Sequence, residues 1–431
     1  MYVRYVIIKE KAEFAMKDKI MILGGANLHC KLVEAAHQME KETIVVDNVK
    51  NSPAKLISDY SYDIDVKDVD RLADICRNQN IKAVLSAYLD FCQPYYQKLC
   101  SLLNCPCFGT DEQFKIFTDK ELFKKKCLEY GVNTIKGYTE KELQSLDVVE
   151  YPIYIKPSIS QGSKGQCVCY NKEEALRAIN GAKMISKNGK VIIEKYMAKK
   201  HIIQVTYLVL DGIPKLIRTA DQINGSDKYG MQHIAIAGIS PSKYTNLFLK
   251  KVNHKIKNMI KHIGIKNSPV FMQGFVDEDD FYFFDPGLRF PGTEASRIFK
   301  NVMNIDLMQA MIEFSFSGKI LSLQNVIDED TVYLKNYIIL NLFPFIKKGK
   351  IKSISPIDNL LKINGVEYVT YRHKVGDVVD DTKDVNQRIA EINILGTTKE
   401  KINNTIKEVY DILQVLDVKG NNMILDRFIL K

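Results

Sequence analysis

Residues 151–165 read Tyr-Pro-Ile-Tyr-Ile-Lys-Pro-Ser-Ile-Ser-Gln-Gly-Ser-Lys-Gly, and the prediction of the fold starts from this stretch. An apolar, β-rich run delivers one lysine, Lys156, and Pro157 then ends the predicted strand because proline has no N–H for a sheet ladder. The following loop is rich in glycine and serine, so its backbone N–H groups can converge on an anion. Residues 166–170 predict a return strand. The stretch therefore predicts a hairpin whose tip binds phosphate, with an ordinary solvated turn as the alternative.

The composition is that of a globular protein with more than one domain. The chain has 431 residues, of which 46% are hydrophobic and 26% are charged, and two or three domains are expected at this length. The net charge is +9. Lysine clusters such as residues 124–126 and 347–352 are interpreted mostly as solvated faces, because no basic stripe interleaved with aromatic residues predicts nucleic-acid binding. The positive field still favours a small anionic substrate.

Cysteine usage and the first residues of the chain predict a cytoplasmic protein. The nine cysteines are an odd number scattered through apolar segments, so reduced, buried thiols are expected. Residues 1–16 lack the apolar core of a secretory signal and are interpreted as an N-terminal extension. The longest apolar run near the end, residues 337–346, is too short to cross a bilayer, so no membrane partner is expected.

The first hundred residues predict a nucleotide-binding type of α/β domain. Residues 19–23 form a buried-strand run that ends in Gly24-Gly25, and helical periodicity follows over residues 29–39. Further elements follow at βα spacing: strands at residues 43–46, 83–86 and 105–108, and a helix at residues 90–102. The dinucleotide fingerprint needs a third glycine that is missing here, so the glycine pair is interpreted as a structural turn.

Helices and strands alternate less regularly after residue 109. The predicted elements are a lysine-rich helix over residues 111–130 that carries Asp119-Lys120, a strand at 191–196, a hairpin strand at 205–210, a helix at 246–262, and strands at 269–275 and 281–285. Asp285 ends the last strand, and Arg289 follows four residues later, so the two can face one pocket or form a local ion pair. The remainder predicts a small α+β domain whose last helix has Thr397 and Glu400 as a capping box.

The order of these motifs resembles the ATP-grasp ligases. Asp47, residues 51–54 and Asp59 resemble the family's preATP-grasp domain, and the remaining motifs follow in the family's order. The resemblance implies a fold class of α/β and α+β: an N-terminal extension (1–16), a Rossmann-like preATP-grasp domain (17–109), an ATP-binding domain (110–320) with a flap subdomain at about 133–196, and a small C-terminal α+β closing domain (321–431).

The resemblance also implies roles for particular residues, with ATP and Mg²⁺ as cofactors. Lys120 and Lys156 would neutralise the α- and β-phosphates, and the flap would hold the β- and γ-phosphates through Ser160, Gly162, Ser163, Lys164 and Gly165. The hinge residues Glu194, Lys195, Tyr196 and Met197 would read adenine and ribose, with Gln204 substituting in part for an acidic residue missing beyond the hinge. Asp285 would bind Mg²⁺ with Gln273 as an auxiliary ligand. Arg289 would be the catalytic arginine, which meets the substrate carboxylate and the oxyanion.

The sequence departs from the family at the metal site. The family pairs a glutamate with a Glu-x-Asn-x-Arg ending, whereas the matching positions here are Gln273, Asp285, Gly287 and Arg289. The expected function is an ATP-dependent ligase that joins a small carboxylate to a small amine through an acyl phosphate, with no nucleic-acid partner and a homodimer left open. Two alternatives are a nucleotide-binding protein with reduced or no turnover and a bicarbonate-activating, carboxylase-type enzyme.

Overall fold

The computed structural model describes residues 17–144, 149–158, 165–186, 189–197, 200–231, 233–292 and 296–430. The predicted N-terminal extension lies outside these residues. The strands are β1 (Lys19–Leu23), β2 (Glu42–Val46), β3 (Tyr60–Tyr62), β4 (Ile81–Leu85), β5 (Gly137–Tyr138), β6 (Ile153–Pro157), β7 (Cys167–Cys169), β8 (Val191–Lys195), β9 (His201–Leu210), β10 (Ile213–Asn224), β11 (Ala235–Ser240), β12 (Ser268–Asp277), β13 (Asp280–Gly287), β14 (Ile338–Leu342), β15 (Gly349–Ile354), β16 (Val366–Tyr371), β17 (Val378–Val379), β18 (Ala390–Gly396) and β19 (Val415–Asp417).

The α-helices of the described residues alternate with these strands. They are α1 (Asn27–Gln38), α2 (Val69–Asn78), α3 (Gln93–Leu103), α4 (Asp111–Thr118), α5 (Lys120–Glu129), α6 (Lys172–Ile185), α7 (Thr245–Lys251), α8 (Asn253–Ile263), α9 (Ser296–Ile298), α10 (Leu307–Ser317), α11 (Ile357–Leu361) and α12 (Lys399–Ile412). None of these described helices is long and apolar enough to cross a membrane.

The N-terminal domain is built on a parallel sheet with the strand order β3-β2-β1-β4. The apolar runs that end β1 and β2 are fully buried, as expected for a parallel sheet that is covered on both faces. Gly24 has a φ of +107°, so the predicted glycine turn follows β1. The strand predicted at residues 105–108 is absent; this segment is irregular, and Phe108 is buried against the Tyr96 ring of α3.

Two predicted helices are each divided in the structure. Asp119 has extended backbone angles, and its side chain accepts hydrogen bonds from the N–H groups of Glu121 and Leu122, so it ends α4 and caps α5. An aspartate can form such a cap in competition with a continuous helix. The helix predicted over residues 246–262 is divided at Val252 into α7 and α8. The cap of α12 is Thr398 rather than Thr397.

An eight-stranded antiparallel sheet forms the centre of the molecule, in the order β13-β12-β9-β10-β11-β14-β18-β16. Its last three strands come from the predicted C-terminal domain, and they join the predicted ATP-binding domain through the β11–β14 pair. A three-stranded sheet, β17-β15-β19, lies beside them in the chain's last hundred residues. The C-terminal region therefore extends the central sheet instead of standing on a sheet of its own.

A separate four-stranded antiparallel sheet, β5-β8-β6-β7, carries the predicted flap subdomain. It has its own small hydrophobic core, in which β6 and β8 pack with α6. Gly165 precedes β7 with a φ of +73°, and a Cβ atom there would lie 2.8 Å from Ile185 Cδ1 and 3.0 Å from Pro157 Cγ. Both the backbone angle and the close packing therefore require glycine at this end of the hairpin.

Candidate active site

A cavity of about 1270 Å³ is lined by residues of the flap sheet and of the central sheet, and α5 and the residues before β18 contribute to its walls. Two groups of its lining side chains are named the charged end and the aromatic end, and they meet where Lys156 Nζ lies 6.0 Å from the centroid of the Tyr154 ring. The charged end includes Lys120, Lys156, Glu194, Gln273 and Asp285. The aromatic end includes Tyr154, Tyr170, Tyr196, His233, Phe275 and Phe284.

Helix α5 supplies two lysines to the charged end. Lys120 and Lys124 are four residues apart and so share one face of the helix. Lys120 Nζ lies 3.5 Å from Asp285 Oδ1, and Lys124 Nζ donates to Glu194 Oε1. The interpretation of residues 124–126 as a solvated lysine cluster is therefore wrong for Lys124. Its spacing from Lys120 is the signal in the sequence that could have identified it.

Glu194 is held between two lysines. Its carboxylate is 2% exposed and accepts from Lys124 and, at 2.7 Å, from Lys156 Nζ. Burial acts to raise the pKa of Glu194, but the two ammonium groups outweigh it and hold the pKa below its usual value. This carboxylate is therefore occupied by two ion pairs, and it positions the lysine predicted to bind phosphate. The role of Glu194 toward adenine or ribose stays a prediction.

A row of amides crosses the cavity floor and ends at Asp285. Gln273 is directly opposite Gln204 on β9 and Asp285 on β13, so the three side chains share one face of the sheet. Gln222 of β10, which sequence analysis did not single out, accepts from Gln204 Nε2 at 3.0 Å and from Gln273 Nε2 at 2.8 Å. Gln204 therefore lies in this amide row on β9, beyond the hinge, and its predicted substitution for an acidic residue stays a prediction.

Arg289 pairs with the N-terminal domain. Its Nε lies 2.7 Å from Asp90 Oδ1, and its Nη1 donates to the backbone oxygen of Phe290 at 3.0 Å. The alternative of a local ion pair with Asp285 is therefore replaced by a pair between domains. A Cβ atom at Gly287 would lie 3.0 Å from Arg289 Cγ. The glycine in place of the family's asparagine thus leaves room for the arginine to lie across the strand.

The hinge residues Lys195 and Tyr196 are held by backbone hydrogen bonds to the flap region, and the Tyr196 ring reaches His233, just before β11 of the central sheet, at the aromatic end. The backbone N–H of Lys195 donates to Lys136 O, and that of Tyr196 donates to Pro152 O. The Tyr196 ring stacks on Tyr154 with 6.0 Å between ring centroids, and both contact the ring of His233. Phe275 and Phe284 stack at 4.7 Å on the central sheet. Met197 is nearly buried and also lines the cavity.

The predicted phosphate-binding tip is only partly described. Ser160, Gly162, Ser163 and Lys164 lie outside the described residues, whereas Gly165 marks the return of the chain into β7. The structure therefore brings together Lys120, Lys156, Gln273 and Asp285, and it adds Lys124 and Gln222 to the predicted set.

The donor set at Asp285 fits a magnesium ion that is shared with phosphate. Within the described residues, no cluster of three or more His, Cys, Asp or Glu side chains could hold a metal ion. Mg²⁺, however, is usually bound by one or two carboxylates together with substrate phosphates and water. Asp285 and the neutral oxygen of Gln273 together meet that requirement. The described residues contain no metal site that is made of protein carboxylates, imidazoles or thiolates alone.

Two family models match the chain, one before and one after the domain boundary predicted at residues 109–110. The model described as the ATP-binding domain of the carbamoyl-phosphate synthase L chain matches residues 119–312, and the model described as the N-terminal domain of PylC-like proteins matches residues 20–91. The chain is 26% identical over 281 residues to a formate-dependent phosphoribosylglycinamide formyltransferase from Wolinella succinogenes. This alignment covers 62% of this chain and 68% of that protein. Other curated relatives are matched over about half of their length.

Solved structures superpose on nearly the whole chain at low identity. An L-amino acid ligase from Bacillus licheniformis has a TM-score of 0.75 at 15% identity, covering 93% of this chain and 99% of that one. A second structure is the biotin carboxylase domain of the 2-oxoglutarate carboxylase from Hydrogenobacter thermophilus, in complex with MgADP, ADP and bicarbonate. It has a TM-score of 0.73 at 17% identity, and the superposition covers 95% of this chain and 92% of that one. The predicted fold is confirmed, and the matched family models and relatives together indicate that the chain is similar to the ligases of the ATP-grasp superfamily.

Proposed function

We propose that this chain is an ATP-dependent, Mg²⁺-dependent ligase that joins a carboxylate to an amine through an acyl phosphate. The observation that carries the proposal is the juxtaposition of Lys120, Lys156 and Asp285 in one cavity between the flap sheet and the central sheet. Charge-assisted hydrogen bonds from lysines suit the phosphates of ATP. The aromatic end of the same cavity offers flat apolar surfaces of the kind that a purine base packs against.

The proposed reaction has two steps. A carboxylate oxygen of the first substrate attacks the γ-phosphorus of ATP, the bond to the bridging oxygen breaks, and ADP leaves. The nitrogen of the second substrate then attacks the acyl carbon, phosphate leaves, and the nitrogen loses a proton. A magnesium ion bound with Asp285 and Gln273 would neutralise charge on the transferred phosphoryl group.

Arg289 is assigned to the acyl transfer. Its pairing with Asp90 directs the guanidinium between the N-terminal domain and β13. Burial by itself lowers the pKa of Arg289, but Asp90 outweighs burial and raises it, so the group stays charged. A fixed positive charge at this position would stabilise the oxyanion that forms when the amine attacks.

The relatives support a small carboxylate and a small amine as substrates, since their names include a formate-dependent formyltransferase and an amino-acid ligase. A bicarbonate-activating reaction is the second candidate, because the small subunit of a 2-oxoglutarate carboxylase is 24% identical over 208 residues. A homodimer is proposed on the same basis, since the carboxylase domain is described as a dimer. Light scattering of the purified chain tests that point.

The decisive test is a screen for inorganic phosphate release. The chain is incubated with Mg·ATP and a matrix of carboxylates, including formate and amino acids, against a matrix of amines, with bicarbonate in a separate arm. Release that requires both a carboxylate and an amine supports the proposal. Release that requires bicarbonate alone supports the second candidate. A chain that binds Mg·ATP by calorimetry but releases no phosphate in any arm contradicts both and favours a binding protein without turnover.

A further inference from the structure

Gln222 is the centre of the amide row on the cavity floor. Its Oε1 accepts two hydrogen bonds, from Gln204 Nε2 and Gln273 Nε2, while its own Nε2 donates to Asn224 Oδ1 at 2.8 Å. Gln222 itself lines the cavity. A single side chain therefore sets the direction of neighbouring amides on two other strands, β9 and β12.

These contacts determine which way the amide of Gln273 faces. Its nitrogen is turned toward Gln222, so its carbonyl oxygen is turned away, and that oxygen receives no hydrogen bond from the described part of the chain. The residue directly opposite Gln273 on the other neighbouring strand is Asp285. Opposed residues of antiparallel strands have Cβ atoms about 4.5 to 5.5 Å apart on one face of the sheet. A carboxylate and a neutral oxygen are thus available side by side.

We propose that Gln222 is a positioning residue that orients Gln273 for cation binding, and that the site takes one divalent cation only together with a nucleotide. The inference rests on the proposed function, because phosphate oxygens complete the coordination. One carboxylate with one amide oxygen is too small a set to hold a hard cation alone. Lys120, 3.5 Å from Asp285, also repels a cation until phosphate neutralises the lysine.

The proposed limit of one cation follows from the carboxylates that line the cavity. Three carboxylates of the described residues line the cavity, namely Glu194, Asp285 and Asp384. Glu194 is occupied by two lysines. Asp384 accepts from Thr382 Oγ1 at 2.7 Å and from Asn386 N at 2.8 Å within its own turn. Asp285 is therefore the carboxylate of this set that a cation can share with phosphate.

Binding of Mn²⁺ in the presence of a non-hydrolysable ATP analogue tests the proposal, with free Mn²⁺ measured by electron paramagnetic resonance and protein in excess over analogue. The wild type is expected to bind one Mn²⁺ per molecule of bound analogue and none without the analogue. Gln222→Met should weaken Mn²⁺ binding by about 10- to 100-fold, as is typical for loss of a residue that orients a metal ligand. Gln222→Glu keeps an acceptor for both amides and should bind Mn²⁺ at least as tightly as the wild type.

Gln97→Met is the matched control, since Gln97 lies on α3 outside the cavity lining and its amide donates to Ser101 Oγ at 3.1 Å. Its Mn²⁺ affinity should equal that of the wild type, and circular dichroism verifies that every variant is folded. Equal Mn²⁺ affinities of Gln222→Met and wild type, or two Mn²⁺ per molecule of bound analogue, overturn this inference while leaving the proposed function in place. A wild type that does not bind the analogue in excess Mg²⁺, measured by calorimetry, overturns the proposed function itself.

Discussion

The ammonium of Lys156 lies 2.7 Å from the carboxylate of Glu194, and the two residues are only 8% and 2% exposed. Burial lowers the pKa of Lys156, and the attraction of Glu194 only partly offsets that effect. The lysine proposed to bind phosphate is therefore fixed in place by a carboxylate before any ligand arrives. Its position costs no reorganisation on binding, which favours affinity.

Lys156→Met should weaken binding of Mg·ATP strongly while the chain still folds. A charge-assisted contact of this kind contributes about 1.5 to 3 kcal/mol, which corresponds to roughly a 10- to 150-fold loss of affinity. Glu194 keeps Lys124 as a partner, so the carboxylate is not left unpaired. Calorimetric titration measures the loss. Lys126→Met, on the exposed side of α5, is the control, and equal affinities of the two variants would remove Lys156 from the site.

Glu194→Gln should destabilise the chain at neutral pH by about 3 to 5 kcal/mol, because removing one partner of a buried ion pair leaves the other charge uncompensated. The pKa of Glu194 is lowered in the folded chain, so its stabilisation is present above about pH 4.3, the ordinary glutamate value, and is lost as the pH falls through the lowered pKa. The difference between variant and wild type should therefore shrink below pH 4. Denaturant unfolding across this pH range measures it.

Glu150→Gln provides the matched control for that experiment. Glu150 also pairs with two lysines, Lys136 and Lys195, but it is exposed to solvent. Exposed ion pairs contribute little to stability and are screened by salt. A loss of stability in Glu150→Gln as large as in Glu194→Gln would show that burial of the pair is not what matters.

Asp285→Asn should remove turnover at any practical Mg²⁺ concentration, since a neutral oxygen cannot replace the carboxylate of this site. Gln273→Glu should be tolerated or should raise activity, because it adds a carboxylate beside Asp285. Phosphate release with the substrates found by the screen is the measurement. Asp280→Asn, at the exposed start of the same strand, should behave like the wild type. Normal turnover in Asp285→Asn would place the metal elsewhere.

Arg289→Lys should keep ATP binding but slow turnover by about a hundredfold to a thousandfold, the usual effect of removing one transition-state donor. An ammonium cannot reproduce the planar guanidinium, which pairs with Asp90 and is proposed to meet a substrate oxygen with its other nitrogens. The value of kcat should fall more than KM changes. Arg297→Lys, which alters an arginine paired with Glu34 outside the cavity, serves as control. Unchanged phosphate release in Arg289→Lys would mean that this arginine only joins the domains.

The parts of the site that are local in sequence could be predicted from it. The strand that carries Lys156 and the strand that carries Asp285 follow from periodicity. The division of the predicted helix at Asp119 was not predicted, although an aspartate is a common helix cap. The ion-pair partners of the site residues could not be predicted from the sequence, because they come from distant positions in the chain. Glu194 is 70 residues from Lys124, and Asp90 is 199 residues from Arg289.

The amide row illustrates the same limit in a sheet. Gln204, Gln222 and Gln273 meet only because β9, β10 and β12 pair in a particular register. A shift of one residue in any pairing would turn a side chain to the other face. That register depends on contacts along the whole sheet, so the pattern of polar residues in each separate strand does not reveal it.

The pairing of β11 with β14 has a practical consequence for fragments of this protein. A fragment that ends near residue 320 would leave residues 237–240 as an open sheet edge, and a fragment that begins there would expose β14 in the same way. Open apolar edges recruit strands from other molecules and lead to aggregation. Either half expressed alone should accumulate as insoluble material, and co-expression of both halves should recover soluble protein because each covers the edge of the other.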